Sequence, residues 1–274
     1  MEPLPFWLTH RGAIPVSSDH SFEKDLQFLR DNGYLLVKNA LDADQVAKWK
    51  DLLYGMYDRE EYCGANSVGN VYFNLLLEQR PDLVKPLLTN PRTTPYIRAI
   101  MGRQCQLRSV RAHVNPEEYR QEWHMDFLDY YYQDEKADCI QPASALCMNQ
   151  TFYLTDNDPD TARLTFLREY LNQPIPDEMR SHMFYTDDRQ NPFQVWCDNQ
   201  VHADLYPKAG DAVVFYSHIP HQGAKIGPDP KGEIRANLVF HFQQNPMHPG
   251  ILFVSDPQHT LDTISYRESF PFID

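Results

Sequence analysis

Between Phe22 and Gly33 the apolar residues of FEKDLQFLRDNG fall at positions 22, 26 and 29, which predicts an amphipathic helix closed by a glycine C-cap. The run YLLVKN that follows predicts a short buried strand. Asp42 then opens a second helix. With Gln45 three residues on it has the form of a capping box, and Val46, Trp49 and Leu53 form an apolar face. From Asn74 to Gly102 the pattern is again mostly helical, interrupted by Pro81, Pro86, Pro91 and Pro95. After Gly102 the period changes. LRSVRAHV, CMNQTFYL, RLTFL, FQVWC, AVVFYSH and RANLVFHF are short, rich in Val, Phe, Tyr and Thr, and separated by polar connections bearing Pro or Gly. That spacing predicts a sheet sandwich or barrel. The chain thus reads as mainly β with flanking helices: a helix-rich part over 1–102, then a β body over 103–274. No internal repeat or low-complexity linker separates them, and the expectation is a single domain over 1–274.

Composition narrows the classes of function. Hydrophobic residues at 42% and aromatics at 13% suffice for a substantial core. The net charge of -13 repels phosphate backbones and anionic lipid, so neither nucleic acid nor a membrane is an expected partner. No run of 18 apolar residues is present, and MEPLPFWLTHRG lacks the basic and apolar regions of a secretory signal. Cys63, Cys105, Cys139, Cys147 and Cys197 are scattered, odd in number and form no C-x-x-C pair. This argues against a disulfide framework and a thiolate zinc site, and for buried free thiols in a reducing, cytoplasmic compartment.

Candidate chemistry begins at His124 and Asp126 in EWHMD. Two residues apart on a strand, they share one face while Met125 takes the other. An imidazole nitrogen and a carboxylate oxygen on one face can share a metal, and a second histidine would complete the two-histidine, one-carboxylate set of open Fe(II) sites. Alone, H-x-D is a weak signal. Of the eleven histidines, His10, His20, His248 and His259 read as solvated loop residues, and His182 and His202 stand in polar surroundings. His113 and His241 read as satisfied strand residues. His218 and His221 remain, at the end of the strand in GDAVVFYSHIPHQG. Spacing does not choose between them, because Pro220 breaks the alternation. Farther on, Arg235 opens the strand IRANLVFHF. A guanidinium there grips a carboxylate through two charge-assisted bonds, and on spacing alone the simplest partner is one of the chain's 38 acidic residues.

Taken together and in order, these segments resemble the phytanoyl-CoA dioxygenase-like family of Fe(II)- and 2-oxoglutarate-dependent oxygenases over most of the chain. FLRDNGYLLVKNALDADQVAKWKDLL looks like the family's opening helix, strand and helix, and NPRTTPYIRAIMGRQCQL like the segment before its first ligand. EWHMD looks like its W-H-x-D motif, and GDAVVFYSHIPHQGAKIG with IRANLVFHFQ resembles its distal histidine, following glycine and later arginine. The resemblance implies a double-stranded β-helix core, a cupin-like jelly roll, preceded by N-terminal helices. It implies His124, Asp126 and His221 as ligands of Fe(II), His221 being the one followed by a nearby glycine, and Arg235 as the clamp for the far carboxylate of 2-oxoglutarate. Dioxygen would be the third small reactant. Related halogenases carry a small residue where Asp126 stands, so the resemblance implies hydroxylation, desaturation, ring closure or demethylation, not halogenation.

Two departures bear on the pocket. PDPKGE reads as a small hairpin insertion before Arg235, and DTARLTFLREY stands where the family tends to carry Asn-Gly and Pro-Gly-Ser-His. Asn149 and Gln150 could contact 2-oxoglutarate but read more simply as solvated amides. Tyr130-Tyr131-Tyr132 line the pocket or sit on a surface strand with equal weight, and Glu122, Arg108 and Arg111 are further candidates to face it. The absence of clustered lysines and arginines speaks against a coenzyme A thioester, and a small molecule such as a natural-product intermediate is the expected substrate. The rival readings are an acyl-CoA or lipid hydroxylase, a non-catalytic jelly-roll binding protein, and a cupin-type enzyme without 2-oxoglutarate. The last lacks an H-x-H pair and a reason for Arg235. Oligomeric state is not readable from the sequence.

Overall fold

A computed structural model describes residues 21–65, 71–74, 76–101, 105–126, 147–168, 175–183 and 188–244. Helix α1 spans Phe22–Asn32; the Ser21 hydroxyl accepts from the Lys24 N–H at its start, and Gly33, at φ 81°, closes it. Leu26 and Leu29 are buried, while Phe22 is exposed and stacks on Tyr96 at 5.1 Å. Strand β1 is Tyr34–Val37. Helix α2, Ala43–Asp58, starts with the expected capping box of Asp42 and Gln45 and buries Trp49, Leu53 and Met56. The proline-bearing stretch forms α3 (Leu76–Gln79), α4 (Pro81–Leu88) and α5 (Thr94–Met101). Pro81 and Pro95 stand in first turns, where the missing N–H costs nothing.

The strands pair antiparallel in two sheets. The larger contains β1, β2 (Gly64–Ala65), β3 (Val71–Phe73), β4 (Cys105–Asn115), β6 (Cys147–Tyr153), β9 (Ala212–Tyr216) and β11 (Arg235–Gln244), in the order β1-β9-β6-β11-β4-β3-β2. The smaller runs β5-β10-β7-β8, from Tyr119–Arg120, His221–Lys225, Ala162–Leu167 and His202–Leu205. Two β-strands of the helix-rich stretch, β1 and β3, join the large sheet through β9 and β4.

Alternation sorts the large sheet into two faces. On β11, Ala236, Leu238, Phe240 and Phe242 pack with the helices in one core cluster. Arg235, Asn237, Val239 and His241 take the other face and line a cavity between the sheets. On β6, Met148 and Phe152 join the helix-side core, while Asn149, Thr151 and Tyr153 face the cavity. A second core closes the sandwich beside that cavity, with Tyr34, Leu164, Phe166, Val213 and Phe215 among its members. A register shift between His241 and Phe242 marks a bulge in the β4–β11 ladder.

Two expectations are corrected. FQVWC is not a strand but lies in helix α6, Pro192–Asp198. The Asn191 carboxamide accepts from Phe193 N–H and Pro192 supplies the first turn, so the local start signal overrides the alternation of Phe193, Val195 and Cys197. PDPKGE is a turn and not a hairpin: no strand lies between β10 and β11, and the Asp229 carboxylate caps Lys231 N–H at 2.6 Å. Of the cysteines described, Cys147 and Cys197 are buried free thiols, whereas Cys63 is exposed.

Gly210 and Gly232 both have positive φ, 91° and 71°. A Cβ on Gly210 would lie 2.8 Å from the Leu41 carbonyl oxygen, while one on Gly232 would meet nothing within 4 Å. In urea denaturation Gly232→Ala is expected to lose about 1 kcal/mol, the left-handed penalty alone. Gly210→Ala adds the clash and should lose distinctly more, about 2–4 kcal/mol. Equal losses would show that the Leu41 turn yields.

Candidate metal centre

Residues 121–126 run beside β10. Gln121 N–H donates to Gly223 O at 2.8 Å, His124 and His221 exchange backbone bonds at 3.0 and 2.9 Å, and Asp126 N–H donates to Ser217 O at 2.8 Å. Trp123 and Met125 point into a core patch with Leu167, Met183, Phe193 and Cys197. His124 and Asp126 point the other way, as strand alternation requires. His221, first residue of β10, faces them.

The outcome is a cluster of His124, Asp126 and His221 whose ligand atoms all lie within 4.8 Å of one another. Asp126 Oδ1 is 3.8 Å from His124 Nε2, and Asp126 Oδ2 is 3.5 Å from His221 Nε2. Each imidazole turns Nδ1 to a backbone carbonyl at 2.9 Å, Glu122 O for His124 and Ile219 O for His221. A donating Nδ1–H leaves each Nε2 lone pair aimed at the shared point. Burial pushes the Asp126 carboxyl up, but the His221 and His124 imidazoles, His241 and the Asn149 amide outweigh it and hold it at about 2. Burial pushes His221 down to about 4. At neutral pH Asp126 is therefore a carboxylate and His221 a neutral imidazole, the forms in which each binds a divalent metal. The donor set fits Fe(II) in an open site.

His218 lies outside the cluster; its ring stacks on Tyr216 at 5.6 Å. Arg235 shares the cavity with the three clustered residues. Its Nη1 donates to Asn115 Oδ1 and Tyr119 Oη, each at 2.6 Å, and its Nε is buried with no hydrogen-bond partner. The expected internal salt bridge is absent: among the described residues Arg235 forms no ion pair, and neutral groups hold its guanidinium in place. Lys225 Nζ donates to Asn115 O at 3.0 Å and Pro116 O at 2.9 Å, fixing the turn that brings Asn115 and Tyr119 to Arg235.

The cavity, of about 280 Å³, holds several residues that the sequence did not single out. Asn149 is buried, not solvated; it donates to Asp126 Oδ2 and accepts from Ser217 Oγ at 2.7 Å. Gln150, its neighbour, faces the opposite way and donates to Leu87 O at 3.4 Å. Gln121 Nε2 approaches His124 Nε2 at 3.1 Å. His113 and His241 line the cavity, and His241 is also the satisfied strand residue expected, its Nδ1 2.7 Å from Ser109 Oγ. Burial, then Arg111 and Arg235, push His113 down to about 3, so it is a neutral hydrogen-bonding group. Counting back and forth by two from Arg235 would have found Asn237 and His241; His113 and Asn149 needed the strand pairing. Arg111 lines the cavity over the Tyr72 ring, at 6.0 Å. Glu122 does not: it is buried away from the cavity and accepts from Arg189 Nε at 2.7 Å. His202 contacts Cys197 O and the Trp123 ring. The Arg108 side chain, Tyr130-Tyr131-Tyr132, His10, His20, His248 and His259 fall outside the described residues.

The fold defines the class: an antiparallel double sheet of the cupin-like jelly-roll type with flanking helices. It is similar to the epimerase SnoN solved with Fe3+, alpha ketoglutarate and nogalamycin RO, with a TM-score of 0.63, 18% identity, and 87% of this chain and 90% of that one covered. It is also similar to HygX from Streptomyces hygroscopicus with nickel, 2-oxoglutarate and hygromycin B, with a TM-score of 0.59, 13% identity, and 83% and 89% covered. EctD from S. alaskensis with 2-oxoglutarate and 5-hydroxyectoine matches with a TM-score of 0.57, 15% identity, and 86% and 78% covered. No family model matches the chain, and no curated protein matches it. Among the described residues no helix is long and apolar enough to cross a membrane.

Burial also pushes His218 down, to about 4. The unfolded chain, at the ordinary histidine value of about 6.5, takes up the proton first. A depressed histidine therefore contributes stability that is complete above about pH 6.5 and lost as pH falls toward 4. Metal-free protein is expected to lose unfolding free energy between pH 6.5 and 5. His218→Gln should flatten that slope by up to about 1.4 kcal/mol per pH unit. An unchanged slope in urea melts would mean that the ring meets water.

Proposed function

We propose that this chain is a non-haem Fe(II)- and 2-oxoglutarate-dependent dioxygenase that oxidises an unactivated C–H bond of a small-molecule natural product. The observation that carries the reading is one cavity lined both by two Nε2 atoms and a carboxylate that converge and by a buried guanidinium whose Nε has no partner. Fe(II) held there by His124, Asp126 and His221 would supply dioxygen activation coupled to decarboxylation of 2-oxoglutarate.

The chain's own groups then have distinct tasks. His124, Asp126 and His221 hold the metal. Carbonyl bonds at Nδ1 keep the rings from rotating, and Asn149 keeps the carboxylate turned toward them. Arg235 takes the far carboxylate of the cosubstrate, with Asn115 and Tyr119 setting the guanidinium beforehand so that little order is lost on binding. Asp126 fills the position that a halide would need, which favours hydroxylation, desaturation, ring closure or demethylation over halogenation. The similar solved structures named above were captured with nogalamycin RO, hygromycin B or 5-hydroxyectoine, in keeping with a small substrate. Arg111, His113, Gln121 and Asn237 make the lining polar, which favours a compact polar substrate over an acyl chain.

Anaerobic titration of the purified protein with Fe(II) and 2-oxoglutarate tests this, read by the weak visible charge-transfer band of a chelated keto acid. The band should appear in wild type, vanish in His221→Ala and persist in His218→Ala. In Arg235→Ala it should weaken and return with excess 2-oxoglutarate. A metal-loaded wild type without the band would sink the 2-oxoglutarate reading.

A further inference from the structure

We propose that Gln194 on α6 is a positioning residue for the metal centre, acting through the backbone of Trp123. The inference rests on His124, Asp126 and His221 binding a metal, but it concerns a residue outside the cavity. Among the described residues, segment 121–126 has a strand neighbour on one side only. On that side β10 takes the N–H and C=O of His124. A strand's next residue turns its N–H and C=O to the opposite edge, and there Trp123 meets no strand among the described residues. Gln194 stands in for one. Its Oε1 accepts from Trp123 N–H at 2.8 Å and its Nε2 donates to Trp123 O at 2.7 Å, so a single carboxamide closes a two-point peptide-like pair.

Both partners are sealed from water, Gln194 at 1% and Trp123 at 0% relative exposure. One helical turn on, Asp198 Oδ1 accepts from the Trp123 indole Nε1 at 2.8 Å and from Arg120 Nη2 at 3.2 Å. Helix α6 therefore holds Trp123 at its backbone and at its ring. Held from both edges, the segment does not roll about its long axis, the motion that would carry His124 Nε2 and Asp126 Oδ1 off their common point. A free segment must be ordered when metal binds, and that cost falls on affinity.

Co(II) is the probe, titrated into metal-free protein and read through its visible ligand-field bands and by competition with a chelator. Gln194→Leu keeps the volume and removes both hydrogen bonds; Gln194→Glu keeps the acceptor for Trp123 N–H and loses the donor. Leu26→Ala, in α1, is the control that lowers melting temperature away from the site. Gln194→Leu is expected to raise the Co(II) dissociation constant about tenfold or more and to change the band pattern. Gln194→Glu should lie between it and wild type, and Leu26→Ala should match wild type in both readouts despite melting earlier. If Gln194→Leu does not fold, Gln194→Glu decides by the same two readouts. Variants that melt early yet bind Co(II) with the wild-type constant and bands overturn the inference, leaving Gln194 as a packing residue only. A wild type that takes up no Co(II) overturns the metal-centre reading and this inference with it.

Discussion

The paired backbone bonds between His124 and His221 are the contact on which the rest of this architecture turns. His221 opens the five-pair ladder of β10 with β7, whereas its bridge to His124 on the other edge is isolated. It sets the two rings 4.2 Å apart between centroids and so fixes where a metal can sit. The surrounding structure supports that one register. Ser217 takes Asp126 N–H, Gly223 takes Gln121 N–H, and Phe166 and Phe215 flank the His221 ring.

The cavity exists because the large sheet is asymmetric. One side of β4, β6 and β11 is apolar and pressed against helices, and the other carries polar groups that a closed core would leave unsatisfied. Arg235 Nε and Asn237 Oδ1 remain buried without partners, the pattern of a site shaped for a guest rather than for its own stability. What stability the site forgoes is recovered on the far face, where Leu238, Phe240 and Phe242 are fully covered.

Much of this was legible in the sequence, and the failures have physical causes. Caps are local, so the Ser21–Gly33 helix and the Asp42–Gln45 start could be read directly. Strand period is local too, which is why H-x-D gave the shared face of His124 and Asp126. The choice between His218 and His221 was not local. Pro220 resets the register, so spacing left both open and the resemblance pointed to His221, which the structure places opposite residue 124. Asn149 and Gln150 show the same limit from the other side. Adjacent amides on a strand must face opposite ways, but which one meets the carboxylate depends on residues far along the chain. FQVWC failed because three apolar residues at spacing two mimic a strand, while the Asn191-Pro192 helix start carries the stronger local signal.

About a hundred residues of chain separate His124 from His221, and closing so long a loop is entropically uphill until other contacts reward it. His124 and Asp126 are neighbours in the chain, but His221 joins them only when β10 pairs with residues 121–126. The complete set of three donors therefore depends on a long-range contact. A chain caught part-way presents an incomplete set of donors, so a metal ion would find all three only after the protein around them has closed.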